Sequence, residues 1–130
     1  MQRPTYYQNG NFPIEISKNT IISNHFNDIY FSKHNGLKEK KFVFLEPNKI
    51  KERLNKSDHF VIGELGFGCG LNFLATWDLF KKYSKSNVVL DYISIEAYPL
   101  ENEVLRKVYS LFPEINLLSI STTFVFLTSL

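Results

Sequence analysis

The 130-residue sequence has one cysteine, one methionine, one tryptophan and no long apolar run. One thiol can close no intrachain disulfide and supplies no cysteine-cluster zinc site. It suits the reducing cytosol, so a cytoplasmic protein is expected. No apolar stretch approaches the roughly 18–20 residues that a membrane-spanning helix needs, so no membrane partner is expected. Met1-Gln2-Arg3-Pro4-Thr5-Tyr6-Tyr7 lacks the apolar core of a secretory signal. His25, His34 and His59 stand 9 and 25 residues apart with no cysteine or acid at ligand spacing, and no metal site is expected. A net charge of +2 does not by itself mark a nucleic-acid binder. What the chain does hold is aromatic bulk, 12 Phe and 7 Tyr, enough apolar material for the core of one globular domain.

The small net charge conceals a gradient. Residues 33–56 carry Lys33, Lys38, Lys40, Lys41, Lys49, Lys51, Arg53 and Lys56 against three glutamates, a local charge of +5. Residues 57–115 carry −3, and residues 116–130 carry no charge at all. The basic stretch reads either as a solvated face or as a surface for phosphates, and charge alone does not choose.

Residues 1–32 read as loops and short extended pieces, with turns at Asn9-Gly10 and around Pro13. Val43-Phe44-Leu45 is a strand candidate closed by Pro47, and Asn48 can cap a short helix over Lys49–Asn55. Phe60-Val61-Ile62-Gly63-Glu64-Leu65 is a near-continuous apolar run, the pattern of a parallel strand buried on both faces. From Leu71 to Tyr83 the period becomes helical, with Phe73, Trp77 and Phe80 on one face as core residues. Val88–Ile95 reads as a second strand. Pro99 opens a second helix, with Leu100, Val104, Val108 and Leu111 on its apolar face and Pro113 stopping it. Strand, glycine loop, helix, strand, helix make a βαβα unit, and the fold class is α/β.

The chemistry concentrates in Glu64-Leu65-Gly66-Phe67-Gly68-Cys69-Gly70-Leu71-Asn72-Phe73. A glycine loop between a strand and a helix points backbone N–H groups at whatever occupies the strand's carboxyl end. A dinucleotide loop wants its third glycine three residues after the second. Here Leu71 stands there and Gly70 comes one residue early. That spacing fits an adenosylmethionine site better than a nicotinamide site, and a P-loop is excluded because no Lys-Ser/Thr follows. Glu96 closes the second strand, 26 residues after Gly70, where a carboxylate can accept hydrogen bonds from both ribose hydroxyls of an adenosine ligand. Cys69 has no histidine at motif spacing and reads as the small residue the loop wants, not as a nucleophile.

The blocks Phe26-Asn27-Asp28-Ile29-Tyr30-Phe31-Ser32, Gly36-Leu37 with Glu39, Phe42–Leu45 with Asn48, Ile62–Leu74 with Trp77, and Tyr92–Glu96 through Pro99-Leu100 to Phe112-Pro113-Glu114 carry a resemblance. Over about residues 10–115 the chain resembles the methyltransferase domain of the bacterial tRNA 5-methylaminomethyl-2-thiouridine biosynthesis family, of MnmC or MnmD type. Cys69 stands where the family's pattern has Thr. The resemblance implies the N-terminal part of a class I, Rossmann-like methyltransferase with an N-terminal extension, using S-adenosyl-L-methionine as donor. The acceptor would be the amine of a 5-aminomethyl-2-thiouridine at the tRNA wobble position. Gly66, Gly68 and Gly70 would pack against the donor's methionine part, Glu64 would sit near its amino group, Glu96 would hold the ribose, and Tyr30 would line the site. The basic segment Lys33–Lys56 would then meet the tRNA backbone.

In the family, the groups that place the acceptor amine lie around an Asp-Ala-Phe-x-Pro block, which this sequence does not contain. The catalytic residues are therefore not assigned. The expected organisation is an N-terminal extension with short strands and a basic segment over 1–59, a partial donor-binding βαβα unit over 60–115, and a divergent tail over 116–130. That tail suggests a truncated or frameshifted product without methyl transfer of its own. Two other readings stay open: a non-enzymatic nucleotide- or tRNA-binding module, and a nucleotide-dependent oxidoreductase.

Overall fold

In the computed structural model, residues 5–7, 13–17, 20–26, 28–32, 36–113 and 115 are described. The Asn9-Gly10 turn, Lys33 and the 116–130 tail lie outside the described residues.

The short extended pieces expected in the N-terminal region are strands that pair into a four-stranded antiparallel sheet. Its strands are β1 (Thr5–Tyr7), β2 (Ile14–Ser17), β3 (Thr20–Ser23) and β4 (Asp28–Ser32), paired in chain order. Ser17 faces Thr20 and Ser23 faces Asp28, so short hairpins close both sides of β3. Ile14 and Ile21 are fully buried and Ile16 packs beside them, which fixes the sheet's inner face. The pairing of β3 with β4 shifts register between Ile21 and Ile22, as at a β-bulge.

Gly36–Lys40 forms α1, and the chain then widens into a π-helical turn at Lys41–Leu45. The Val43-Phe44-Leu45 strand is therefore replaced by helix. Phe42 and Val43 are exposed while Leu45 is buried, so no strand-like alternation exists to be paired. The wide turn is closed by Glu46 N–H donating to the Lys41 carbonyl at 3.0 Å. Asn48 donates its side-chain amide to the Phe44 carbonyl at 2.7 Å instead of capping the next helix. That helix, α2, spans Ile50–Leu54 and buries both end residues.

The second sheet has two parallel strands, β5 (His59–Leu65) and β6 (Val89–Ile95), in register from His59 opposite Val89 to Leu65 opposite Ile95. Helix α3 (Leu71–Tyr83) joins them, and α4 (Asn102–Tyr109) follows β6. This is the expected βαβα order, with α4 starting three residues after Pro99. Phe67, Leu71, Phe73, Leu74, Val104, Leu105, Val108 and Phe112 form one core with Ile14 and Ile21, so the antiparallel sheet packs onto the glycine loop and the helices. Leu45, Ile50, Leu54, Phe60, Ile62 and Ala75 form a second core between α2, β5 and α3.

The expectation that β5 is buried on both faces is not met. Its burial alternates, and Val61, Leu65, Val89, Ile93 and Ile95 are exposed on the outer face, Leu65 at 86%. Helices α3 and α4 both serve the inner face, which explains the asymmetry. Leu74→Ala, in the fully buried core, should cost about 2–5 kcal/mol, whereas Leu65→Ala should stay within about 0.5 kcal/mol. Urea unfolding of both variants checks this, and comparable losses would contradict the one-sided sheet.

Candidate functional site

Three glycines carry the chain from β5 into α3. Gly66, Gly68 and Gly70 have φ of +83°, +56° and +76°, conformations in which a Cβ is strained. Gly66 N–H donates to the Ile95 carbonyl at 2.8 Å, which extends the parallel ladder by one rung. At Gly70 the constraint is also spatial. A Cβ there would lie 2.5 Å from Tyr109 Oη and 2.6 Å from Phe67 Cζ. Gly66 has open space around it, and a Cβ at Gly68 would meet only Tyr30, at 3.6 Å.

Glu96, just past β6, grips this loop. Its Oε2 accepts from Gly68 N–H at 2.7 Å and its Oε1 from Tyr98 N–H at 2.9 Å. A carboxylate offers about four lone-pair positions, so each oxygen can still accept one more hydrogen bond. Glu96 and Tyr30 line a cleft of about 260 Å³ together with Ser23, Phe26, Asp28, Ile29 and Tyr98. Phe26 and Tyr98 meet edge to face at 5.2 Å between ring centres, forming an aromatic side to the cleft. The lining contains two carboxylates and no cation, which suits hydroxyl and amino donors on a ligand. Burial, and then the neighbouring Cys69 and Glu96, raise the Tyr30 phenol, so it stays a proton donor.

Glu64 lies deeper, nine-tenths buried at the end of β5. Its Oε1 accepts from Asn72 Nδ2 at 2.7 Å, which ties the strand to the first turn of α3. Ser94 stands opposite Glu64 in the register, and Tyr92 occupies the same inner face two residues earlier. Burial, then the Glu64 charge, raises the Tyr92 phenol; burial also raises that of Tyr109. Burial pushes the Cys69 thiol up to about 12, so little thiolate forms near neutral pH.

Tyr30, Gly68 and Glu96 thus meet at one cleft, while Glu64 and Gly70 sit beneath the loop. Residue-by-residue reading missed Asp28, Tyr98 and the polar pair Tyr92 and Ser94. Tyr98 had a signal in its place two residues after Glu96. Tyr92, Ser94 and Glu96 at i, i+2, i+4 form a polar stripe along and just past an apolar strand, a legible anomaly. Phe26 and Asp28 depend on the antiparallel sheet and had no local signal. Among the described residues, no three His, Cys, Asp or Glu side chains gather as a metal ion would need, and no helix is long and apolar enough to cross a membrane.

Known proteins resemble the chain in sequence. The tRNA 5-methylaminomethyl-2-thiouridine biosynthesis bifunctional protein MnmC of Aeromonas hydrophila is 48% identical over 101 residues, covering 74% of this chain and 15% of the relative. Its counterpart in Nitrosospira multiformis is 43% identical over 98 residues, covering 73% and 16%. The chain resembles the methyltransferase segment of the MnmC family. It spans about one-sixth of the length of these MnmC relatives. The solved structure of MNMC2 from Aquifex aeolicus superposes with a TM-score of 0.57 over 88% of this chain and 38% of its own, at 18% identity. That likeness speaks for a related α/β fold. No family model matches the chain.

Replacing Gly66 by Ala should cost about 1–2 kcal/mol through backbone strain alone. Gly70→Ala should cost more, because Phe67 and Tyr109 must also move within the core. Chemical denaturation of the two variants tests the order, and equal losses would refute a steric role at Gly70.

Proposed function

We propose that this chain carries the donor-binding part of a class I, Rossmann-like tRNA methyltransferase, taking S-adenosyl-L-methionine at the glycine loop. The observation that carries it is the joint between Gly68 and Glu96. A positive-φ glycine loop and a carboxylate at the end of the neighbouring parallel strand are held together, beside an aromatic cleft sized for part of a nucleoside. The residues present fit this donor. Glu96 retains lone pairs for ribose hydroxyls, Gly66 and Gly68 keep side chains out of the ligand's path, Gly70 lets the loop close onto the core, and the buried Glu64 places a negative charge beneath the loop for the ammonium group. Tyr30 lines the cleft from the antiparallel sheet.

The donor's sulfonium supplies an already activated methyl group. This chain's own task is to bind and orient it and to exclude water from the loop side. The acceptor we infer is the amine of a 5-aminomethyl-2-thiouridine at the wobble position, which would leave its stack to be reached. The 130 residues hold no Asp-Ala-Phe-x-Pro block to place that amine. A second reading is a donor- and tRNA-binding module without catalysis, which the Gly68–Glu96 joint and the exposed Lys38, Lys49 and Lys56 would serve equally. Transfer of labelled methyl to tRNA lacking this modification separates the two.

Calorimetric titration with adenosylmethionine tests the donor site. Glu96→Ala should weaken binding by about 1.5–3 kcal/mol, the scale of hydrogen bonds to a charged acceptor. An analogue lacking both ribose hydroxyls should bind the parent chain and the variant equally. No heat from the parent chain would end the proposal.

The basic segment divides into paired and unpaired cations. Lys41 pairs with Asp78 at 3.5 Å, Lys51 lies over the Tyr83 ring, and Arg53 lies over Phe60 and donates to the Asn48 carbonyl. Lys38, Lys49 and Lys56 are exposed, with no ion pair among the described residues, and are the cations we assign to phosphates. Changing each to Gln should flatten the log–log salt dependence of tRNA binding by about 0.7–0.9 per lost contact. A slope that does not move would return these lysines to a merely solvated face.

A further inference from the structure

Beneath the glycine loop lies a knot of polar groups whose hydrogen-bonding capacity is only partly used. Glu64 is nine-tenths buried, and its Oε2 accepts no hydrogen bond. Asn72 Oδ1 and Ser94 Oγ are buried around it and are likewise unpartnered, and the buried Tyr92 Oη lies beside the Glu64 carboxylate at the edge of hydrogen-bond reach. They are neighbours by construction. Asn72 is bonded to the other Glu64 oxygen, Ser94 is the cross-strand partner of Glu64, and Tyr92 is next on the same face of β6. Leaving a carboxylate oxygen buried without a partner is expensive, and a core with only a packing role would have filled this place with apolar side chains. Two hydroxyl protons stand ready beside one acceptor.

We propose that Tyr92 and Ser94 are positioning residues that set the orientation of the buried Glu64 carboxylate beneath the glycine loop, so that its charge is presented to the ammonium group of the donor's methionine moiety. The assignment rests on the donor-site reading above. The division of labour is clear from the topology. Asn72 holds Glu64 from the helix side, and Tyr92 and Ser94 flank it from the β6 side. The ring of Tyr92 is itself anchored, edge to face against Phe73 at 5.3 Å between centres, so its hydroxyl cannot swing away. The phenol also stays protonated throughout the neutral range, because burial and then the Glu64 charge raise it, and it therefore remains a donor.

The test compares two ligands on the full 130-residue chain. Adenosylmethionine carries the ammonium group; 5′-methylthioadenosine has the same adenosine and no amino-acid part. Tyr92→Phe should weaken adenosylmethionine binding about tenfold or more, the effect of losing a hydrogen bond to a charged acceptor. The affinity for methylthioadenosine should be unchanged. Ser94→Ala should show the same selective loss on a smaller scale, and it keeps the test open if Tyr92→Phe does not fold. Equal weakening of both ligands would mean general damage to the fold, and no weakening of either would mean that the hydroxyls are idle. Each result overturns the assignment. A parent chain that binds methylthioadenosine but gains nothing from the amino-acid part would remove Glu64 from the site. A parent chain that binds neither ligand would overturn the donor-site reading itself.

Discussion

The chain leaves β5 and enters α3 within five residues by turning through left-handed backbone three times, and glycine tolerates that conformation far better than other residues. Every other part of the site follows from this passage. The tight turn lets Gly68 N–H reach the Glu96 carboxylate, so the ends of two adjacent strands are joined by a bond to a charged acceptor. It also brings Phe67 and Cys69 down into the core, where they meet Ile14 and Ile21 of the antiparallel sheet. The loop is therefore a structural hub as well as the candidate ligand surface.

That dual role explains the shape of the molecule. The antiparallel sheet does not stand apart as an appendage. Its inner face covers the loop, and its last strand, β4, supplies Tyr30 to the cleft beside Glu96. On the other side, Asp78 gathers Lys41 and Lys82, at 3.5 and 2.8 Å, and so clips the π-helical turn to α3. These pairs are partly exposed and add little individually. The apolar cores hold the layers together, and the pairs fix their alignment.

Much of this was legible from residue patterns. The β5, α3 and β6 elements announced themselves because each has a sustained period and clear glycine or charge boundaries. The acid–glycine–acid grouping was legible too, since its residue types are fixed by close approach and hydrogen bonding. The antiparallel sheet was not. Strands of three to five residues, such as Thr5–Tyr7 and Ile14–Ser17, offer too few alternations to separate from loop, and their pairing is decided by the distant surface that Ile14 and Ile21 cover. Val43-Phe44-Leu45 misled for the opposite reason. Its composition favours a strand, but only Leu45 finds a buried place, and the helix begun at Gly36 simply continues through it. The outer face of β5 and β6 looked buried because Val61, Leu65, Ile93 and Ile95 are apolar, and composition cannot tell which layer covers them.

The two oxygens of Glu96 have a consequence for how the loop senses its surroundings. Each already holds a backbone N–H, one from the loop and one from the turn after β6. Any group that draws on the same oxygens competes with, or polarises, those bonds. The Gly68 amide proton therefore acts as a built-in gauge: its chemical shift and its exchange with solvent follow whatever the carboxylate is holding. Occupancy of the cleft becomes readable at the backbone, several atoms away from the ligand, without a label and without a reaction.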